Sequence, residues 1–176
     1  LMGMAMADGT RHIDNHTVVT HHEKAGHTEE LFKYVLDGHA VGSFSGLIRV
    51  RPGAEKTVAM QSNKNVCASA DATMFTKPQL LIDCDDVRCN HGATVGQIDQ
   101  KALFYMRSRG IPEHEARLML MQAFMTDVIA GVRMEALKDR LQHLVENRFL
   151  GAPSSCRNCS SHHNGCPSTA NDNKDA

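Results

Sequence analysis

Residues 2 to 95 alternate between apolar and polar positions and show little helical periodicity. The β-rich words are HTVVT, LFKYVL, FSGLIRV, KTVAMQ, QLLID and DVRCNHGATV. Turn signals stand at Asp8-Gly9, Asp37-Gly38, Pro52-Gly53 and Asn63-Lys64-Asn65. Period-2 faces, such as the one formed by Phe44, Gly46, Ile48 and Val50, predict strands with one buried side. This spacing is compatible with a sandwich, a barrel or a solenoid; the absence of Trp mildly disfavours an immunoglobulin-like sandwich.

After Gln97 the apolar period changes to that of helices. The pattern predicts three helices. The first is capped by Asp99 and ends near Arg109, with the apolar members Leu103, Phe104 and Met106. The second runs from Pro112 to Gly131, with the apolar members Leu118, Met121, Met125 and Val128, and the third runs from about Met134 to Phe149, with a stripe of Leu137, Leu141, Leu144 and Val145. From Gly151 onward the chain is polar, and we expect a disordered tail.

Composition excludes several functional classes. The 176 residues carry a net charge of −1, so no basic field is present to hold nucleic acid or an anionic membrane. No apolar run approaches the ~20 residues that span a bilayer. The six cysteines occur without a secretory signal, which indicates reduced thiols and a cytoplasmic location. The nucleotide-binding, hydrolase and metalloprotease words GxxxxGK, GxSxG and HExxH are absent, so we do not expect an enzyme.

The strand predicted from Val87 to Val95 places Cys89 and His91 on one face. A thiol and an imidazole about 7 Å apart can share a soft or borderline metal such as iron. The competing interpretation is that both residues fill the inward face of a strand, which suits a free cysteine better than an imidazole with two polar nitrogens. A third hypothesis is a thiol-dependent enzyme centred on Cys89, although no oxyanion site or third orienting group is apparent.

The tail carries a second group of potential metal ligands: Cys156, Cys159, Cys166, His162 and His163. Two thiolates in a CxxC spacing can clamp one tetrahedral ion, and the later residues could complete a zinc or iron site. Together with the histidines at positions 12, 16, 21, 22, 27 and 39, this gives an alternative function as a metal storage or sensing module. A thiol-rich tail without metal is the simpler interpretation, and we expect the six histidines to be solvated turn residues.

Several words in order resemble the SufB/SufD family of iron–sulfur cluster assembly subunits, on the SufD side. They are QSNKN (61–65), TKPQLLID (76–83), DDVRCNHGATVGQ (85–97) and FYMRSRGIP (104–112). The resemblance implies the C-terminal part of a parallel β-helix followed by a small helical domain. It divides the chain into the end of the β-helix (1–97), a helical domain (98–150) and the tail (151–176). Asn90-His91-Gly92 stands where SufB-type sequences carry Glu-His-Glu, which favours the SufD role.

The resemblance also implies a function. The chain would be a non-catalytic scaffold that contributes His91 and Cys89 to the cluster assembly interface with a SufB-like subunit, where a nascent iron–sulfur cluster forms transiently. The helical domain would dock a SufC-like ATPase, and whether the flavin of some such complexes touches this part is left open. Because an unpaired strand edge recruits partners, we expect the isolated chain to form a homodimer through the strand around Val87–Val95.

Overall fold

A computed structural model describes residues 1–149 and shows a parallel β-solenoid of about three turns followed by three helices. The strands are β1 Met2–Ala7, β2 His12–His21, β3 His27–Leu36, β4 Val41–Val50, β5 Val58–Cys67, β6 Thr73–Ile82 and β7 Arg88–Gly96. They form two sheets in the orders β1-β3-β5-β7 and β2-β4-β6, and every pairing is parallel. The expected β-helix followed by helices is therefore confirmed.

Each coil of the solenoid takes about 30 residues, as the pairing of Val58 with Arg88 shows. Tight turns at Gly9, Gly38 and Gly53 join strands, and all three glycines adopt positive φ. The turn predicted at 63–65 is wrong, because these residues lie in the middle of β5. Polar residues there indicated a turn, whereas the interior of the solenoid holds polar side chains that bond to one another.

Strand β4 confirms the period-2 pattern, since its successive side chains alternate regularly between half-buried and buried. Phe44, Ile48 and Val50 are almost completely buried between the two sheets. Gly46 lies among them and leaves space for a side chain from the opposite sheet. The prediction that the six histidines lie in turns is wrong for four of them: His12, His16, His21 and His27 lie within β2 and β3.

The helices are α1 Gln100–Ser108, α2 Glu113–Ala130 and α3 Glu135–Phe149. The carboxylate of Asp99 caps α1, accepting from the amides of Lys101 at 2.8 Å and Ala102 at 3.2 Å. Helix α2 covers the outer face of the larger sheet, where Met121 and Met125 pack against Val35. No helix within residues 1–149 is long and apolar enough to cross a bilayer.

The buried faces of the helices agree only partly with the predicted stripes. Leu103 is buried as expected, but Phe104 is 72% exposed. On α3, Val145 is buried while Leu137 and Leu144 are exposed. These apolar residues face away from the solenoid, because the sheet contacts α2 and not the outer sides of α1 and α3.

Candidate functional site at the end of the solenoid

Strand β7 lies at the edge of its sheet. One edge pairs with β5, and no other strand within residues 1–149 pairs with the opposite edge. The amide of Arg88 donates to the carbonyl of Thr57, so even-numbered β7 residues direct their backbone groups to β5. The alternate backbone groups, including those of His91 and Ala93, therefore face the free edge.

Cys89 and His91 lie on the inward face of β7 but in different surroundings. The register sets Cys89 beside Ala59 and His91 beside Gln61. Cys89 is half-buried and packs against the apolar cluster that contains Ile48, whereas His91 is exposed. Side chains on this one face are therefore half-buried at Cys89 and exposed two residues later at His91. No further strand among the described residues covers this part of β7.

Burial raises the pKa of the Cys89 thiol, and a hydrogen bond with the backbone of Ala59 opposes this only in part. A raised pKa keeps the sulfur protonated near neutral pH, which is unfavourable for a nucleophile or a metal ligand. The environment of Cys89 in the chain alone therefore gives no support to a thiol-dependent enzyme. His91, on the open side, is the more accessible of the two groups.

A buried polar pair lies behind His91. Gln61 and Glu30 are 3% and 1% exposed, and Gln61 Nε2 donates to Glu30 Oε2 at 2.5 Å. The register puts Glu30 beside Gln61, and Gln61 beside His91. The three side chains form a row that crosses three adjacent strands and ends at the open edge.

An amide network continues the polar interior along β5. Asn65 Nδ2 donates to Asn63 Oδ1 at 2.6 Å and to the carbonyl of Thr94 at 2.9 Å. The hydroxyl of Thr76 donates to Asn63 Oδ1 at 2.8 Å, joining the second sheet to the network. Asn65 therefore ties β7 to β5 through a side chain in addition to the backbone ladder.

The sequence contained a signal for these interior residues. Gln61, Asn63 and Asn65 alternate with period 2, as inward residues of a strand do. Positions 30, 61 and 91 also recur at the spacing of one coil, so the row could have been found once the coil length was known. Taken locally, Asn63-Lys64-Asn65 predicts a turn, because asparagine is a common turn residue.

The structure gives no position for the tail ligands Cys156, Cys159, Cys166, His162 and His163, which lie outside the described residues. Within residues 1–149, no group of three or more His, Cys, Asp or Glu side chains is arranged to hold a metal ion. The cysteines in that part, Cys67, Cys84 and Cys89, are free thiols. The metal-module hypothesis therefore depends entirely on the tail.

A second surface of interest is a groove between α2 and α3. It has a volume of about 250 Å³ and is lined by Met119, Gln122, Ala123, Thr126, Ile129, Gln142, Val145 and Glu146. Met119 is 49% exposed beside it. Ile129 and Val145 in its lining also belong to the core cluster of Met121 and Met125, so the groove borders that cluster.

Comparison with known proteins identifies the family. Residues 1–124 match the family described as SUF system FeS cluster assembly, SufBD core domain. The chain is 37% identical over 138 residues to the iron–sulfur cluster assembly protein SufD of Escherichia coli, covering 78% of this chain and 33% of that protein. It is 34% identical over 149 residues to a SufBD family protein of Synechocystis, covering 85% and 33% respectively.

SufD of Bacillus subtilis is 33% identical over 132 residues, covering 75% of this chain and 30% of the relative. The chain thus spans about a third of the length of these curated relatives. The matched region includes the whole solenoid and most of α2. The chain belongs to the SufB/SufD family of iron–sulfur cluster assembly proteins.

Proposed function

We propose that the chain acts as a non-catalytic scaffold in iron–sulfur cluster assembly and contributes β7, with His91, to an interface with a SufB-like subunit. The observation that carries this proposal is the outer edge of β7, which pairs with no strand of residues 1–149, with an exposed imidazole beside it, inside a family match. A strand edge offers unpaired N–H and C=O groups that a partner strand can complete. The nascent cluster is cargo of this interface, held transiently.

The imidazole and the thiol have different parts in this proposal. His91 is exposed and offers a borderline nitrogen that suits iron. Cys89 is half-buried in the apolar cluster and needs displacement before it can reach a metal. We therefore expect His91→Ala to reduce cluster formation on the assembled complex more than Cys89→Ser does. Neither change removes much apolar area, so both variants should fold.

This expectation is tested by co-purifying the chain with SufB-like and SufC-like proteins and assaying iron and acid-labile sulfide. Iron and sulfide that accumulate only in the presence of the SufB-like protein would support the scaffold. Cluster assembly at the full rate by a complex carrying His91→Ala would overturn the assignment of His91. Tight stoichiometric zinc on the chain alone would favour the metal module instead.

The free edge of β7 can be tested separately from the imidazole. Ala93→Pro removes a backbone donor that faces the free edge, and leaves the ladder to β5 intact. Ala93→Ser is the matched control, because it keeps the donor at the same exposed position. We expect the proline variant alone to lose association with the SufB-like protein, or homodimerisation of the isolated chain, with unchanged circular dichroism. Undiminished association of the proline variant would exclude the β7 edge as the contact.

We further propose that the groove between α2 and α3 docks a SufC-like ATPase. Its support is an open groove, lined half by apolar and half by polar side chains, on helices that also bury residues against the solenoid. Met119→Glu should abolish the association, because it replaces an exposed apolar contact with a second carboxylate in the groove that Glu146 already lines. Met60→Glu is the control, since Met60 has a similar exposure of 42% but lies on the solenoid. Equal binding of both variants would contradict this docking site.

The compartment is also part of the proposal. The three cysteines of the described residues are free thiols, which fits a reducing compartment such as the cytoplasm. Cell fractionation of the tagged full-length protein tests this directly.

A further inference from the structure

The row formed by Glu30, Gln61 and His91 leads from the buried interior of the solenoid to its open edge. Adjacent strands of a sheet lie about 4.8 Å apart, so side chains at paired positions on the same face are immediate neighbours. Glu30 and Gln61 are buried in the interior, and His91 occupies the same row in the last strand. The row therefore begins with a buried carboxylate and ends with an exposed imidazole.

The amide of Gln61 is held in one orientation. Its Nε2 donates to Glu30 Oε2, so the nitrogen of the amide faces Glu30, whose other oxygen Oε1 accepts from no residue within 1–149. Gly46 in the opposite sheet makes room for the amide, because a Cβ at that position would collide with Gln61 Nε2. Glu30 thus orients the amide, and Gly46 provides the space for it.

This orientation leaves Gln61 Oε1 as an acceptor without a donor. The atom is buried, and no residue within 1–149 donates to it. A buried acceptor that lacks a donor destabilises the folded chain. The residue next to Gln61 along the row is His91, whose ring can donate through one N–H.

We propose that Gln61 is a positioning residue for His91. Its Oε1 accepts the imidazole N–H when a partner strand covers the open end of the solenoid, and Glu30 keeps the amide in the accepting orientation. The hydrogen bond sets the tautomer, so the nitrogen nearer Gln61 carries the proton and the other nitrogen presents its lone pair to the cluster. Metal-binding histidines commonly depend on such a support for the second nitrogen.

This inference rests on the proposed function of His91, and it adds a residue to which that function assigns no role. It also explains a costly feature of the interior. Apolar residues at both positions 30 and 61 would remove the orphaned acceptors of this pair, whereas Gln61 Oε1 gains a donor only when the imidazole donates to it.

The test uses the full-length protein with 15N-labelled histidine, in complex with the SufB-like subunit. Imidazole 15N shifts report which ring nitrogen carries the proton, and His91→Gln identifies the His91 signals. Gln61→Met keeps the volume and removes the acceptor, and Glu30→Met/Gln61→Met also removes the carboxylate that would lose its donor. The exchange Glu30→Gln/Gln61→Glu restores a donor-acceptor pair with an acceptor beside His91. Asn15→Leu is the control, as another interior amide, bonded to Tyr34 and outside this row.

We expect the wild type, the exchange variant and Asn15→Leu to hold a single tautomer of His91. Both methionine variants should show a mixture and a rate of cluster assembly lower by roughly tenfold. A single unchanged tautomer in Gln61→Met, with cluster assembly intact, would overturn the positioning role alone. If the wild-type complex assembles no cluster while Gln61 still sets the tautomer, the proposed function fails and the hydrogen bond stands.

Discussion

The contact that fixes α2 to the solenoid permits a quantitative prediction about the helical region. Lys33 projects from the outer face of β3, and its side chain is 2% exposed. Its Nζ donates to Asp127 Oδ2 and to the carbonyl of Phe124, both at 2.6 Å. It also lies 4.5 Å from the centre of the Phe124 ring. The ammonium is therefore buried under α2, while the carboxylate of Asp127 remains 65% exposed.

This difference in exposure predicts unequal costs for removing the two partners. Asp127→Ala leaves a buried ammonium with one carbonyl as its acceptor, so the loss of a charged hydrogen bond should cost about 2 kcal/mol. That is the lower part of the usual range, because water reaches Asp127 and screens the pair. Lys33→Met keeps the apolar stem and leaves behind only a solvated carboxylate, so it should cost within about 1 kcal/mol.

Urea unfolding followed by circular dichroism at 222 nm measures both free energies. In thermal unfolding followed by the same signal, Asp127→Ala should lower the Tm by roughly 4–8 °C, at about 2–4 °C per kcal/mol for a chain of this size. Asp139→Ala, an exposed aspartate on α3, is the control and should change little. Equal destabilisation by Lys33→Met and Asp127→Ala, or a greater effect of Lys33→Met, would refute the argument that the buried ammonium dominates.

The pair of Lys33 and Asp127 also predicts that the free energy of unfolding depends on pH. The hydrogen bond from Lys33, and then its charge, lower the pKa of Asp127. A lowered folded-state pKa contributes stability above the unfolded pKa, and this contribution is lost as pH falls through the folded value. Below the ordinary aspartate pKa, the difference in unfolding free energy between wild type and Asp127→Ala should therefore shrink. A difference that grows with acidity would contradict this sign.

Three further predictions concern single positions. Gly46→Ala should destabilise the solenoid by about 1–3 kcal/mol because its Cβ would collide with Gln61, whereas Gly96→Ala, which meets no atom, should be neutral in the same urea assay. The rate at which iodoacetamide modifies Cys89 should rise with pH, and the midpoint of this rise should lie at a higher pH than for a free cysteine, since burial raises the thiol pKa. A lower midpoint, measured by peptide mass spectrometry, would contradict this. Asp99→Ala should cost about 1 kcal/mol through loss of the α1 cap, and Asp99→Asn clearly less.

The sequence predicted the strands best where the two faces differ most. In β4, apolar residues on the inward face alternate with residues at the surface, and the strand was recognised from that contrast. In β5 both faces carry polar residues, because Gln61, Asn63 and Asn65 are inside while Lys64 is outside. Local polarity cannot distinguish such a strand from a turn, since the bonds that satisfy the amides come from other strands, β6 and β7.

The candidate site was predictable in part. Alternation alone placed Cys89 and His91 on one face, as the register now shows. Their unequal burial was not predictable, because it depends on where the smaller sheet ends relative to β7. Likewise, the exposure of Phe104 follows from the position of α1 against its neighbours, which helical periodicity does not specify.

The buried amides also explain why His91 lies where it does. A slip of β5 by one residue would turn Gln61 outward and force the ammonium of Lys64 into the interior, at a large desolvation cost. The bond from Asn65 to the carbonyl of Thr94 extends this restriction to β7. Polar interior residues therefore fix the register of the last two strands more strictly than an apolar face would. This fixed register keeps His91 in the row of Glu30 and Gln61, at the free edge of the solenoid.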